Sequence, residues 1–145
     1  MISQWVDTVP KACAYITREV DGCPQLLVFH EAAVSGLQVP KGTIEHAESP
    51  YDAVLREVAE ESGLTDFSAI RPLGADTWTR EKADRLKHYR RYFFHLEVDE
   101  PRDAWEHTVT GRGEEVGDVY SYSWVPLPTD AAFRQNLDAQ LSRLG

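Results

Sequence analysis

Runs of β-branched and aromatic residues recur along the chain between turn-forming residues, and this pattern predicts a β-sheet. Residues 12–17 and 25–30 are two such runs, and the Asp21-Gly22 pair between them is a hairpin signal. The two runs therefore predict an antiparallel pair of strands. Further strands are predicted over 37–39, within 67–78 with an interruption at Pro72 and Gly74, over 89–98 and over 119–125, with loops over 31–36 and 100–117.

A spacing of three and four residues between apolar positions predicts an α-helix between Ser49 and Gly63. Ser49 suits the N-cap, Pro50 suits the first helical position, and Gly63 suits the left-handed residue that ends a helix. One face should pack on the sheet, away from the acidic face of the helix, and it carries Tyr51, Val54, Leu55, Val58 and Ser62. A second helix is predicted over Thr129–Leu144. This order of elements predicts an α/β fold with a mixed sheet flanked by helices.

Composition narrows the class of protein. The chain has 145 residues, of which 42% are hydrophobic and 27% charged, and this predicts one globular domain over residues 1–145. A net charge of −9 argues against general nucleic-acid binding, which needs a basic surface. No apolar run reaches the roughly 18–20 residues that span a bilayer, and the N-terminal stretch lacks a signal-peptide pattern, so we expect a cytoplasmic protein without membrane contact. Cys13 and Cys23 form neither a disulfide framework nor a zinc motif.

Glu57, Glu60 and Glu61 are the foremost candidates for chemistry. On a helix this spacing places the three carboxylates on one face, with about 5–6 Å between neighbouring Cβ atoms. Their charges repel one another, and Mg²⁺ or Mn²⁺ removes that cost because such ions bind carboxylate oxygens together with substrate phosphates. The residues alone leave two interpretations open: a metal site for a phosphate-bearing substrate, or a solvated acidic face.

The three glutamates belong to a longer pattern with fixed spacing. It runs Gly42-x5-Glu48-x7-Arg56-Glu57-Val58-x-Glu60-Glu61-x-Gly63-Leu64. This pattern resembles the complete Nudix box and shows no departure from it. The resemblance implies an α/β/α sandwich and Mg²⁺-dependent hydrolysis of a nucleoside diphosphate linked to another group. It also implies that Glu57 and Glu61 are the principal metal ligands, that Glu60 is a further or water-mediated ligand, and that the Gly42 carbonyl contributes.

Glu48 and Arg56 are predicted to shape the site. Arg56 can reach back to the loop that carries Glu48, and a charge-assisted pair between them would hold Gly42 in place. The resemblance implies the same structural role. Direct contact of Glu48 with the metal is the alternative.

The general base is predicted to be a carboxylate, because a metal-activated water needs only a nearby group of suitable pKa. Members of the resembled family use either a glutamate of the helix or one from a later loop. Glu114 and Glu115 are the loop candidates here, with Asp118 behind them, and the alternative is that both are merely exposed loop acids.

A basic segment over residues 79–91 predicts an anion-binding wall for a polyphosphate, with Arg80, Lys87 and Arg91 as substrate contacts. A solvated hairpin tip is the alternative. Lys41 is better placed, because it directly precedes Gly42.

The Pro40-Lys41-Gly42 opening is similar to that of Nudix enzymes that act on dinucleoside polyphosphates or diphosphoinositol polyphosphates. Trp78 and Tyr89 are among the aromatic residues that could stack on a nucleobase, although most such residues are expected in the core.

The sequence thus predicts a pyrophosphohydrolase that uses Mg²⁺ or Mn²⁺, with a dinucleoside polyphosphate as the first choice of substrate. ADP-ribose, sugar nucleotides, nucleoside triphosphates and capped RNA ends remain alternatives. The rival from another class is a nucleotide-binding sensor without turnover. The expected partner is a small-molecule nucleotide, and a homodimer that involves the N-terminal segment around Trp5 is left open.

Overall fold

The computed structural model describes residues 5–144, apart from the side chains of residues 5, 6 and 82. Its elements in chain order are β1 (Trp5–Val20), β2 (Cys23–His30), β3 (Lys41–Thr43), α1 (Pro50–Ser62), β4 (Ala69–Lys82), β5 (Arg85–Glu97), β6 (Ala104–Thr108), β7 (Val119–Pro126) and two short 3-10 turns at Arg134–Asn136 and Leu141–Arg143. Among these residues, no helix is long and apolar enough to cross a membrane.

The strands form one seven-stranded mixed sheet in the order β4-β5-β1-β2-β7-β6, with β3 also paired to β1. β1 and β5 are parallel, and the other pairs are antiparallel. The predicted hairpin between β1 and β2 is confirmed, with Asp21 and Gly22 at φ values of 53° and 78°. The predicted interruption of β4 is also confirmed, as a shift of register between Pro72 and Gly74.

α1 begins and ends as its sequence predicts. The Ser49 hydroxyl accepts a hydrogen bond from the backbone N–H of Asp52 at 3.0 Å, and Gly63 ends the helix at φ 82°. The apolar face is separate from the acidic face, since Val54 and Val58 pack in the core, although Tyr51 of the predicted apolar face is 46% exposed. The acidic face is buried as well. Glu57 and Glu61 are 6% and 3% exposed, because the acidic side of the helix lies under the β3 loop.

Two apolar clusters cover the two faces of the sheet. One includes Val54 and Val58 of α1 and the inward-facing residues of the central strands. The other is closed by the C-terminal segment, in which Leu137 is fully buried. The predicted α/β sandwich with a mixed sheet is therefore confirmed as a layered arrangement.

The predicted helix over Thr129–Leu144 is wrong, since this segment forms only the two 3-10 turns. Gln135 and Asn136 have positive φ values of 54° and 56°, which an α-helix cannot contain. The Tyr15 hydroxyl donates to the Leu137 carbonyl at 2.6 Å and accepts from the Gln140 N–H at 3.1 Å. These tertiary bonds stabilise an irregular backbone that still delivers its apolar side chains to the sheet.

Two strand predictions also need correction. The loop predicted over 100–117 contains β6, an edge strand whose residues alternate between exposed and half-buried positions. The strand predicted over 37–39 makes only isolated bridges, from Gln38 to Phe29 and from Leu37 to Phe133, and the paired strand follows at Lys41–Thr43.

Candidate active site

A cavity of about 590 Å³ opens where β3 crosses the end of α1. Its lining includes Lys11, Lys41, Gly42, Glu57, Glu61, Trp78, Tyr89, Arg112, Glu114, Glu115, Arg134, Gln135 and Leu137. The lining therefore comes from the sheet, the helix, the loop before β7 and the C-terminal segment. A volume of this size falls in the range of small-molecule sites.

Three carboxylates converge in this cavity. One oxygen from each of Glu57, Glu61 and Glu115 lies within 4.8 Å of the other two. Glu57 and Glu61 are one helical turn apart, and Glu115 joins them from the loop before β7. The structure thus brings together two of the three predicted helix glutamates and one of the two predicted loop glutamates.

Glu60 lies outside this trio. Its carboxylate packs beneath Gly111 and accepts a hydrogen bond from Arg56 Nη1 at 3.3 Å. Its backbone carbonyl accepts from the Thr110 N–H at 3.0 Å, and it lies 3.0 Å from His107 Nε2. Carbonyls at the end of a helix lack partners within the helix, so these contacts satisfy one of them and fix the start of the loop that carries Glu115.

Two observations indicate that the trio of Glu57, Glu61 and Glu115 suits a divalent cation. Glu57 Oε2 is buried and has no hydrogen-bond partner among the described residues, although a buried carboxylate oxygen normally has one. A Cβ atom at position 42 would overlap the Glu57 carboxylate, so glycine leaves the space that this carboxylate occupies. Burial raises the pKa of both Glu57 and Glu61. A cation with oxygen ligands would satisfy the buried atom and offset the cost of burying charge.

Arg56 of α1 connects the helix to the loop between β3 and α1. Its Nε and Nη2 donate to the two oxygens of Glu48 at 2.7 and 2.9 Å, and Nη2 also donates to the Thr43 carbonyl at 3.0 Å. Its Nη1 donates to Glu57 Oε1 at 2.7 Å. The hydrogen bond from Arg56 lowers the pKa of Glu48. This is the Arg56–Glu48 pair that the sequence predicts, and it connects the β3 loop directly to the carboxylate trio.

Lys41 contacts the trio through its backbone. Its N–H donates to Glu61 Oε1 at 3.1 Å, and its side chain donates to Gln38 Oε1 at 3.3 Å. Lys41 is among the residues that line the cavity.

The predicted basic wall is only partly present at the cavity. Arg91 lines it but is 3% exposed, and its guanidinium forms a two-point pair with Asp76 at 2.8 and 2.9 Å. Arg80 and Lys87 are cross-strand partners in the β4–β5 hairpin and do not line the cavity. Glu114, the other predicted loop acid, does line it.

Three cavity cations are absent from the sequence-based prediction: Lys11, Arg112 and Arg134. Lys11 is opposite Thr43 in the β1–β3 register, a pairing between distant positions that sequence does not reveal. Arg134 is delivered by the irregular C-terminal segment. Arg112 could have been found, because it lies in the same glycine-rich loop as Glu114 and Glu115.

Fold and site together define an α/β protein whose carboxylate trio lies between α1, the strand β3 that contains Gly42, and the loop before β7. The family model described as the NUDIX domain matches residues 7–141. The chain therefore belongs to the Nudix family of pyrophosphohydrolases.

Solved structures show the same fold at low sequence identity. The MutT NUDIX hydrolase from Burkholderia pseudomallei is 18% identical with a TM-score of 0.63, and the match covers 96% of this chain and 99% of that one. The Ap4A hydrolase of C. elegans is 19% identical with a TM-score of 0.59, covering 94% and 95%. The NUDIX domain of Shewanella oneidensis NrtR, solved with ADP ribose, is 15% identical with a TM-score of 0.62, covering 99% and 87%. Among the curated proteins compared, none matches the chain.

Proposed function

We propose that this protein hydrolyses a phosphoanhydride bond in a nucleoside diphosphate linked to another group, with Mg²⁺ or Mn²⁺ held by Glu57, Glu61 and Glu115. The observation that carries this proposal is the convergence of three carboxylates around a buried Glu57 oxygen without a hydrogen-bond partner. When bound, such a cation neutralises diphosphate charge and lowers the pKa of a bound water. Four other residues of the Nudix box, Gly42, Glu48, Arg56 and Glu60, position this trio.

Different residues of the chain have different roles in the proposed reaction. Glu57 and Glu61 are fixed on a helix and supply rigid ligands, while Glu115 approaches from a loop. One oxygen of Glu115 belongs to the trio, and we assign its second oxygen as the group that accepts the proton of the attacking water, with Glu114 beside it as the alternative. The water oxygen bonds to phosphorus, and the bond between phosphorus and the bridging oxygen breaks.

A dinucleoside polyphosphate is our first choice of substrate. Lys11, Lys41, Arg112 and Arg134 line the cavity, and none of them forms an ion pair with another described residue. Four such cations suit a substrate with more charge than a single diphosphate. The fold is shared with an Ap4A hydrolase, and the Pro40-Lys41-Gly42 opening favours the same class. The likeness to a domain solved with ADP ribose makes ADP-ribose the second candidate.

A product analysis tests the reaction. Purified protein is incubated with Mg²⁺ or Mn²⁺ and diadenosine polyphosphates, ADP-ribose, sugar nucleotides or nucleoside triphosphates, and the products are separated by chromatography. Reaction in ¹⁸O-labelled water shows which phosphorus is attacked. We expect one class to be cleaved fastest, with activity at least about 100-fold lower in Glu61→Gln.

Glu106→Gln is the matched control, because Glu106 is an exposed acid on β6 that does not line the cavity. It should retain full activity. Thermal shifts with the same nucleotides complete the test. Binding without cleavage by either metal would contradict the proposal and favour the sensor.

A further inference from the structure

Two aromatic side chains form part of the cavity wall. Trp78 of β4 and Tyr89 of β5 are cross-strand partners, and their ring centroids lie 5.6 Å apart at an interplanar angle of 36°. Aromatic cross-strand pairs stabilise a sheet, and that role alone would explain the contact between the rings. Both rings also line the cavity and are only half-buried, so part of their surface is open to a ligand.

The C-terminal segment leaves this pair uncovered. Tyr89, Arg91 and Phe93 lie on one face of β5, because alternate residues of a strand share a face. Phe93 is 1% exposed and packs in the cluster closed by Leu137. Arg91 is covered because it donates to the carbonyls of residues 135 and 136 at 2.8 and 3.3 Å. The C-terminal segment covers Arg91 and Phe93 on this face of the sheet. Trp78 and Tyr89 lie beyond the covered part, at the edge of the cavity.

Lys11 connects the pair to the carboxylate trio. Its ammonium donates to Thr43 Oγ1 at 2.8 Å and lies 5.7 Å from the centroid of the Tyr89 ring. Thr43 directly follows Gly42, at which an added Cβ would overlap the Glu57 carboxylate. The Lys11 ammonium therefore lies between the Tyr89 ring and the β3 residue Thr43, next to the proposed metal site. A phosphate or ribose that joins a base to the reacting diphosphate would pass this ammonium group.

We propose that Trp78 and Tyr89 form the stacking surface for the base of a nucleotide substrate, with Lys11 contacting the group between that base and the cleaved bond. This inference rests on the proposed function, since it assigns one end of the same substrate. Stacking uses the π-face that every base has, so the surface tolerates different bases. The protein should thus require an aromatic base while discriminating weakly among adenine, guanine and cytosine.

Binding of two probes tests the surface without any need for turnover. ADP carries a base and a diphosphate, whereas inorganic pyrophosphate carries the diphosphate alone. In the presence of Mg²⁺, we expect ADP to quench tryptophan fluorescence in the wild-type protein and in Trp124→Phe. The quench should be lost in Trp78→Phe. Pyrophosphate should cause little quenching in any of them.

Affinity measurements on Tyr89 variants supply a second readout. We expect the dissociation constant for ADP to rise about ten-fold in Tyr89→Leu and to stay near the wild-type value in Tyr89→Phe, which keeps the ring. The affinity for pyrophosphate should be the same in all three proteins. Circular dichroism and thermal unfolding of each variant show that the fold is retained.

Three results would overturn the inference. They are no binding of ADP by the wild-type protein, an ADP quench that persists in Trp78→Phe, and equal affinity for ADP in Tyr89→Leu and wild type. Each of these can occur while the carboxylate site still hydrolyses a substrate. Conversely, absence of hydrolysis with an intact base-dependent quench would contradict the proposed reaction and leave the stacking surface in place.

Discussion

The Glu57 carboxylate fills the space that a Cβ atom of residue 42 would need, and Gly42 has no Cβ. Gly42 is paired with Ala12 in the β1–β3 ladder, and its φ value is not positive. The glycine is therefore required for space and not for backbone conformation. It allows a buried carboxylate to lie against the strand and face the cavity.

Gly42→Ala should displace the Glu57 carboxylate while leaving the strand able to form. A shift of about 1 Å in a catalytic group can cost about 100-fold in rate, so we expect a fall of that order in kcat/KM. We also expect a smaller rise in melting temperature on addition of Mg²⁺ or Mn²⁺, measured by thermal unfolding. Gly22→Ala is the control. It strains a positive-φ hairpin position that is not part of the cavity lining, so it should lower stability and leave the metal response intact. Equal metal responses in wild type and Gly42→Ala would contradict this account.

Removal of the divalent cation should lower the stability of the wild-type protein. A ligand that binds only the folded state stabilises it by about 2.7 kcal/mol at 100 times its dissociation constant. We expect Mg²⁺ or Mn²⁺ to raise the midpoint of urea unfolding and EDTA to reverse the rise. Glu61→Gln removes one ligand of the trio, and its midpoint should respond much less. An unfolding midpoint that is independent of both ions would contradict the assignment of the trio as a metal site.

Arg56→Lys should lower activity although the charge is conserved. The guanidinium donates to Glu48, Glu57, Glu60 and the Thr43 carbonyl at once, and an ammonium group cannot reproduce this fork. Loss of groups that orient metal ligands costs about 10- to 100-fold, so we expect a decrease of that size in kcat/KM. Arg102→Lys, an exposed arginine outside the cavity lining, should show no decrease. An unchanged rate in Arg56→Lys would show that the fork does not hold the trio.

Local signals predicted the parts of the site that are close in sequence. The caps at Ser49 and Gly63 and the spacing of Glu57 and Glu61 are properties of one helix, and the structure contains the caps as predicted. The cluster around Glu57 was harder to predict, because Glu115 reaches it through a loop whose start is fixed by the Glu60 carbonyl. Helical periodicity predicted that Glu60 would share the site. In the structure its carboxylate accepts a hydrogen bond from Arg56 and packs beneath Gly111, outside the trio, so its role as a further or water-mediated ligand stays a prediction.

The C-terminal segment shows why periodicity was insufficient elsewhere. Its apolar residues have helical spacing, but Arg91 and Tyr15 supply hydrogen bonds that a continuous helix could not accept at Gln135 and Leu137. Those partners are separated from the segment by more than 40 residues of sequence. Tertiary bonds therefore decided the conformation, and helix propensity alone could not indicate it.

Arg91→Met should destabilise the fold, although the sequence places Arg91 among substrate contacts. The substitution leaves the Gln135 carbonyl without its donor, and it removes one of two donors from both the Asn136 carbonyl and Asp76. Breaking such a buried pair costs about 3 kcal/mol. Urea unfolding measures this loss. KM should also rise, because Gln135 and Leu137 line the cavity. Arg90→Met is the matched control, since Arg90 is exposed and its guanidinium makes one hydrogen bond to a described residue, the Thr77 hydroxyl at 3.4 Å, besides lying 5.8 Å from the centroid of the Tyr92 ring. A raised KM with unchanged stability would instead support direct binding of substrate by Arg91.

His95 should make stability depend on pH. It is 7% exposed and lies 2.7 Å from the Thr17 hydroxyl through Nε2. Burial lowers its pKa, the nearby Arg71 lowers it further, and Glu97 partly opposes both. The unfolded chain therefore binds a proton at about pH 6.5, before the folded protein does. Stability from this group is complete above about pH 6.5 and is lost as the pH falls through the lowered folded-state pKa.

The test compares free energies of urea unfolding at pH 7.5 and at more acidic values for wild type, His95→Gln and His46→Gln. His46 is an exposed residue of the loop after β3, so its replacement leaves the buried site unchanged. We expect wild type and His46→Gln to lose the same amount of stability on acidification. His95→Gln should lose less, because its side chain cannot take up the proton that favours the unfolded state. The difference between variants isolates His95 from the carboxylates, which titrate in all three proteins. Parallel losses in wild type and His95→Gln would show that this histidine is not linked to unfolding.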